Sequence, residues 1–252
     1  MIYALTWGWE KSQYLTWLAN KGLTKYNIKH ICYFDKEQKV DDFVMKDLIS
    51  NNTIIKYKTN FGGGHKGWID AMQKIKAYRD IINEFNIQEN DWIADMDDDT
   101  YMASDAILKL LTPDRDLVGF QQSKPWIDTK IGKFGHMSGQ VIFMRGGCLI
   151  KMLNQYSDED LSIGGKIQSQ HFRSYNICEM WDVVTSYLMM SVGAVAYDMS
   201  KDIKSDDPEG HFLGTNLGDW FHLCGVPTKF LGKHLPCSRY SIPLVLKEMG
   251  LI

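Results

Sequence analysis

Long apolar runs are missing from this chain. Its most hydrophobic window, Val183 to Tyr197, is interrupted by Thr185, Ser186 and Ser191. No stretch therefore supplies the roughly 20 apolar residues that a membrane-spanning helix needs. Cysteine is sparse and odd in number: Cys32, Cys148, Cys178, Cys224 and Cys237, with no Cys-x-x-Cys pair. That pattern argues for reduced thiols and an intracellular protein rather than a disulfide framework. An excess of one charge is also lacking. The net charge is −3 and the sequence pI about 6.2, so nothing global marks a nucleic-acid-binding protein, although a local basic groove stays open. A basic and apolar leader is missing too, since Met1-Ile-Tyr-Ala-Leu-Thr-Trp-Gly8 reads as a first strand. Internal repeats, low-complexity tracts and clear linkers are absent. What is present is 252 residues, 44% of them apolar, which fits one α/β domain.

The order of elements follows from periodicity. Ile2–Thr6 reads as a strand, and Glu10–Asn20 as an amphipathic helix with Tyr14, Leu15, Trp17 and Leu18 at helical spacing. His30–Phe34 is a second strand. Asp41 or Asp42 caps a helix through Ile49, and Thr53–Tyr57 is a third strand. This β-α-β-α-β opening predicts a doubly wound sheet. A long helix to about Phe85 follows Asn60-Phe-Gly-Gly-Gly-His-Lys66, with Trp68, Ile69, Met72, Ile75, Ile82 and Phe85 as its buried stripe. Three glycines at a helix entry can present N–H groups to an anion, with Lys66 adding charge; a flexible entry explains the glycines equally. Asp116–Phe120 reads as a strand, and Gln121–Phe134 as a polar loop. His136–Met144 leads into a helix from Gly147 to Tyr156, Glu179 opens another through Met190, and Val195–Met199 is a late strand.

Within this frame one stretch carries chemistry. Trp92, Ile93 and Ala94 form an apolar strand that runs into Asp95, Asp97, Asp98 and Asp99. Carboxylates that close repel one another, and a bound cation removes the cost. Oxygen ligands suit Mg²⁺ or Mn²⁺, and the end of a strand is where α/β enzymes hold ligands. An EF-hand loop starting at Asp95 would need Gly at 100 and Glu at 106, where Thr100 and Ala106 stand. A phosphatase-type Asp-x-Asp-x-Thr fails in either register.

Ala94-Asp-Met-Asp-Asp-Asp-Thr-Tyr-Met102 resembles the acidic motif of GT-A-fold glycosyltransferases, and its Asp-Asp-Asp-Thr-Tyr form is nearest the fringe and β1,3-glycosyltransferase group. The resemblance implies a GT-A (Rossmann-like) α/β fold: a mixed, mostly parallel sheet flanked by helices. It divides one domain, 1–252, into a nucleotide-binding half (1–102) and an acceptor-side half (103–252). It implies that Asp99 ligates a divalent metal, usually Mn²⁺, against the diphosphate of a nucleotide sugar, that Asp97 joins the metal site or contacts the donor ribose or a metal-bound water, and that Asp98 lines the sugar-donor site. Thr6-Trp7-Gly8 becomes a candidate base or ribose contact, and an ordinary strand-to-helix turn reads as well. His136-Met-Ser-Gly-Gln140 is similar to the family's Gly-Gly-Ala-Gly-Tyr-Val segment only at Gly139, leaving His136 and Gln140 without roles.

In Glu179-Met-Trp-Asp-Val-Val184, Asp182 matches the family's catalytic base, which removes the acceptor's proton, with Glu179 as fallback. The segment Asp219-Trp-Phe-His-Leu-Cys224 resembles the family's Phe-His, so His222 completes the metal shell; His211 and His234 are rivals. A neutral imidazole beside carboxylates suits Mn²⁺ better than Mg²⁺. The expectation is a cytoplasmic, bacterial or viral, inverting glycosyltransferase that uses a nucleotide sugar, UDP-linked. Its acceptor is a glycan, lipid-linked sugar, protein or modified DNA base. A sugar-nucleotide nucleotidyltransferase and a non-catalytic nucleotide- or carbohydrate-binding module are the alternatives.

Overall fold

The structure, a computed structural model, describes residues 1–8, 13–59, 66–97, 100–102, 106–121, 127–129, 132–134, 136–161, 181–202 and 220–222. Strands β1 (Ile2–Trp7), β2 (Lys29–Phe34) and β3 (Ile54–Tyr57) alternate with helices α1 (Gln13–Lys25) and α2 (Asp42–Ser50), as the sequence predicts. Helix α3 (Lys66–Phe85) leads to β4 (Trp92–Met96) and the short β5 (Thr100–Met102). Then come β6 (Leu117–Gln121), β7 (Ile127–Thr129), β8 (Gly132–Phe134) and β9 (Met137–Arg145). Helices α4 (Gly146–Gln155), α5 (Asp158–Leu161) and α6 (Trp181–Ser191) precede β10 (Ala196–Asp198) and β11 (Trp220–His222).

Seven strands form a mixed sheet in the order β10-β6-β9-β4-β1-β2-β3. The pairs β1·β2, β2·β3 and β10·β6 are parallel, and β6·β9 is antiparallel. The parallel strands have the continuous apolar character expected of a sheet covered on both faces: from His30 to Phe34 every residue of β2 is buried. Three helices close the same way. Asn27, Asn52 and Asn86 take positive φ angles of 56°, 59° and 49° just after α1, α2 and α3. The next N–H in each case bonds five residues back, Ile28 to Leu23, Thr53 to Leu48 and Ile87 to Ile82. Asparagine tolerates the left-handed region, so this cap is written in the sequence.

The chain forms two compact units that interleave in sequence. One contains 59–93 and 111–198, with Met1; the other contains 2–58, 94–110 and the described residues from Met199 onward. The first buries Ile75, Tyr78, Ile81, Val141, Phe143, Leu149, Val184 and Leu188; the second buries Leu5, Leu18, Leu23, Ile31, Phe34, Val44 and Leu48.

Two local expectations need correction. The stretch Gln121–Phe134 is not all loop, because β7 and β8 pair as an antiparallel ribbon within it. The strands are only three residues each, too short for alternation to show. The buried stripe of α3 is also rotated. Ala71, Met72, Lys74, Ile75, Tyr78 and Ile81 are buried, while Ile82 and Phe85 are only half-buried. Among the described residues no helix is long and apolar enough to cross a membrane.

Candidate functional site

In the unit that contains β1, the strand ends on Thr6 and Trp7. Thr6 is fully buried, with Oγ1 2.8 Å from His30 Nε2. Asn20 Nδ2 lies 3.0 Å from His30 Nδ1. An amide nitrogen can only donate, so Nδ1 accepts and Nε2 carries the hydrogen that is given to Thr6. Burial pushes the His30 pKa down to about 3, which keeps the ring neutral. The Thr6 hydroxyl is thus engaged within the core.

Trp7 is half-buried. Its ring stacks on Tyr33 at 4.7 Å and 15°, and its Nε1–H donates to Asp95 Oδ1 at 3.0 Å. Asp95 is fully buried inside β4, so the first of the four acids is held by an indole rather than presented at the strand end. The neighbouring turn is tight: a Cβ on Gly8 would sit 2.5 Å from Phe34 Cε1. Lys58 Nζ donates to Gly8 O at 3.0 Å and lies 3.6 Å from Asp35 Oδ1.

Asp97 is the first residue past β4 and is half-exposed. Its carbonyl accepts the Thr100 N–H at 3.2 Å, closing a turn between β4 and β5. Strand β11 pairs antiparallel with β5 in a register that sets His222 opposite Thr100. The backbone therefore brings position 222 beside the acidic turn, from a distant part of the chain. Asp98, Asp99, Glu179 and the side chains of Lys66 and His222 lie outside the described residues; Lys66 is the first residue of α3. Among the described residues no three of His, Cys, Asp and Glu gather as a metal-binding group.

The second polar group belongs to the other unit, at the start of α6. Asp182 is 5% exposed and His136, just before β9, is 8% exposed. Asp182 Oδ1 accepts the Val183 N–H at 2.8 Å, and Oδ2 accepts the Gly139 N–H at 3.0 Å. His136 Nε2 stands 3.7 Å from the same Oδ2. The Gly139 N–H is thus occupied by a carboxylate of its own chain rather than open to a sugar donor. Burial raises the Asp182 pKa, against the pull of His136, the two N–H groups and Lys74. Burial lowers that of His136, against the pull of Asp182. Lys74, 5% exposed, reaches in from α3 with Nζ 3.2 Å from the centroid of the Trp181 ring. A buried ammonium is costly, and the ring face and the nearby carboxylate offset that cost.

Chemically, the first group offers a stacked aromatic pair tied to the buried Asp95, and the second a buried carboxylate, imidazole and ammonium. Sequence reasoning left His136 without a role and passed over Lys74. The signal for Lys74 was its spacing, three residues after Ala71 and four before Tyr78 on the apolar face of α3.

No protein-family model and no curated protein matches the chain. Solved structures do. One is a galactosyltransferase, LgtC, in complex with donor and acceptor sugar analogues, at 11% identity and a TM-score of 0.58, covering 99% of this chain and 95% of that one. Another is a glycosyltransferase involved in the glycosylation of the major capsid of PBCV-1, at 11% identity and a TM-score of 0.50, covering 90% and 95%. The chain has the GT-A fold. At this identity the likeness establishes the fold and nothing finer.

Proposed function

We propose that the chain is a metal-dependent glycosyltransferase that moves a hexosyl or pentosyl group from a UDP-linked sugar to an acceptor hydroxyl, with inversion at the anomeric carbon. The observation that carries the reading is the acidic turn after β4, on a GT-A fold, with position 222 in register beside it. The motif Asp97-Asp-Asp-Thr-Tyr101 supports the fringe-like form of the family from sequence.

The donor set fits a divalent metal. Asp95 is withdrawn into β4 by Trp7, which leaves the acids beyond the strand, together with His222, as an oxygen-and-nitrogen set suited to Mn²⁺. Asp97, Asp99 and His222 would hold the ion. When bound, it would supply positive charge to the leaving diphosphate. Trp7, on its Tyr33 support, gives the nucleotide base a surface for stacking. Asp98 and Lys66 add polar contacts to the sugar donor, and Gly139 acts by fixing Asp182. Asp182 is the base that takes the proton of the acceptor, with Glu179 as the fallback.

A thermal-shift screen of nucleotide sugars with Mn²⁺ tests the reading. UDP-sugars should raise Tm only when the metal is present. Equal stabilisation by UDP-sugars after chelation would overturn the metal-dependent form of the proposal.

A further inference from the structure

A buried acid inside an apolar strand needs a reason. Asp95 is fully buried in β4, and Trp92, Ile93, Ala94 and Met96 around it are apolar and buried. Burying a carboxyl group is costly, and an apolar side chain of similar size would fill the same space at less cost. Asp95 Oδ1 accepts the Trp7 Nε1–H at 3.0 Å. What that bond adds follows from the setting of the Trp7 ring.

Trp7 closes β1 at its carboxyl end, the end where parallel α/β sheets hold ligands. The register of β1 with β2 sets Tyr33 beside it, and the two rings stack at 4.7 Å with 15° between their planes. Tyr33 is 4% exposed and Trp7 half-buried, so Trp7 is the outer ring of the pair. Stacking fixes the plane of an indole but leaves it free to turn and slide within that plane, because contact between flat faces has little direction. A hydrogen bond at Nε1 is directional and removes that freedom. Asp95 stands on β4, the neighbour of β1 in the sheet, so the anchor comes from a strand rather than a loop. Asp95, Trp7 and Tyr33 all belong to the same compact unit.

We propose that Asp95 is a positioning residue of the nucleotide subsite: through Nε1 it holds the Trp7 ring in the orientation on which the base of the donor stacks. This rests on the reading of the chain as a transferase that uses a UDP-linked sugar, and it adds to the donor site a residue outside the metal-binding set. Asp95, being fully buried, acts only through Trp7. A platform whose rotation is fixed in advance loses less freedom on binding, so affinity for the base rises without any added contact.

Binding to the full chain tests this, with UDP and Mn²⁺ in calorimetry and with uridine in saturation-transfer NMR. Uridine carries no diphosphate, so its signal reads the base contact without the metal. Asp95→Leu leaves the indole N–H without its acceptor. It should weaken UDP by roughly 5- to 150-fold, the span of one lost base stack, and abolish saturation of the uracil protons. Asp95→Asn keeps an acceptor oxygen at the same place and should lose far less. Trp7→Phe keeps a ring on Tyr33 but has no N–H to anchor it. It should weaken UDP by at least about fivefold, and adding Asp95→Leu to it should bring no further loss. An Asp95 that merely supported the strand would weaken binding by the same factor in either background. Such additive losses, or an Asp95→Leu chain that binds uridine as wild type does, overturn the proposal. The bond is also visible without ligand: the Trp7 indole N–H resonance, assigned by its loss in Trp7→Phe, should shift in Asp95→Leu, and an unmoved resonance overturns the proposal as well. Wild type that binds UDP no better than Trp7→Phe leaves the transferase reading standing and overturns this assignment. Wild type that binds neither UDP nor uridine overturns both.

Discussion

His30 and His136 are both buried imidazoles whose affinity for a proton falls because hydration is lost, yet their surroundings differ. Every polar atom of His30 is matched, by Thr6 and Asn20; His136 Nδ1 is buried with no hydrogen-bond partner among the described residues. The first predicts a pH dependence of stability. The folded-state pKa, about 3, lies below the ordinary value of 6.5, so between those values the unfolded chain binds more protons. Stability is complete above pH 6.5 and falls as pH drops toward 3, by about 1.4 kcal/mol per pH unit from this residue. Urea midpoints of wild type and His30→Gln should differ most near pH 8 and converge toward pH 4. A difference that stays constant over that range contradicts the assignment.

Trp7 gives a second prediction at this scale. Trp7→Phe keeps an aromatic face for Tyr33 but removes the indole donor to the buried Asp95. The loss should be about 1–3 kcal/mol in urea denaturation, whereas an unchanged midpoint would mean that the Trp7–Asp95 bond contributes nothing.

Elements were legible where a rule acts within a few residues. The β-α-β-α-β opening and the Asp41 cap on α2 both rest on short-range chemistry. The misses depend on distant partners. On the buried face of α3, Lys74 sits at apolar spacing but its partner, the Trp181 ring, comes from α6, which no local period reveals. The hydroxyl of Thr6 meets a partner on the next strand, His30. The Gly139 match pointed at a sugar, but the N–H is held by Asp182. The turn after β1 offers a test at this scale. A methyl group on Gly8 would meet Phe34 at 2.5 Å, so Gly8→Ala should destabilise by about 1–3 kcal/mol through overpacking. Phe34→Leu in the same chain should recover part of that loss. Additive losses in the double mutant would show that the two residues do not press on each other.

At the scale of the whole molecule, the fold was readable because the order of elements constrains topology strongly. The candidate site was readable as a set of types, acids after a strand and a late histidine, but not as atoms. The backbone register of β5 with β11 supplies the link between position 222 and the acidic turn. If Asp99 and His222 hold the metal, Asp99→Ala should weaken binding of a UDP-sugar itself, since the diphosphate loses its counter-charge. Asp182→Asn should leave binding intact, because neither donor nor metal needs that proton acceptor, so the two variants are separable by calorimetry. The most direct test of the central claim is release of UDP from UDP-sugars by the purified chain, with Mn²⁺ and again after chelation. The account predicts release from at least one UDP-sugar that requires the metal and is lost in Asp99→Ala. No release from any sugar nucleotide, or release indifferent to chelation and to Asp99, would contradict it.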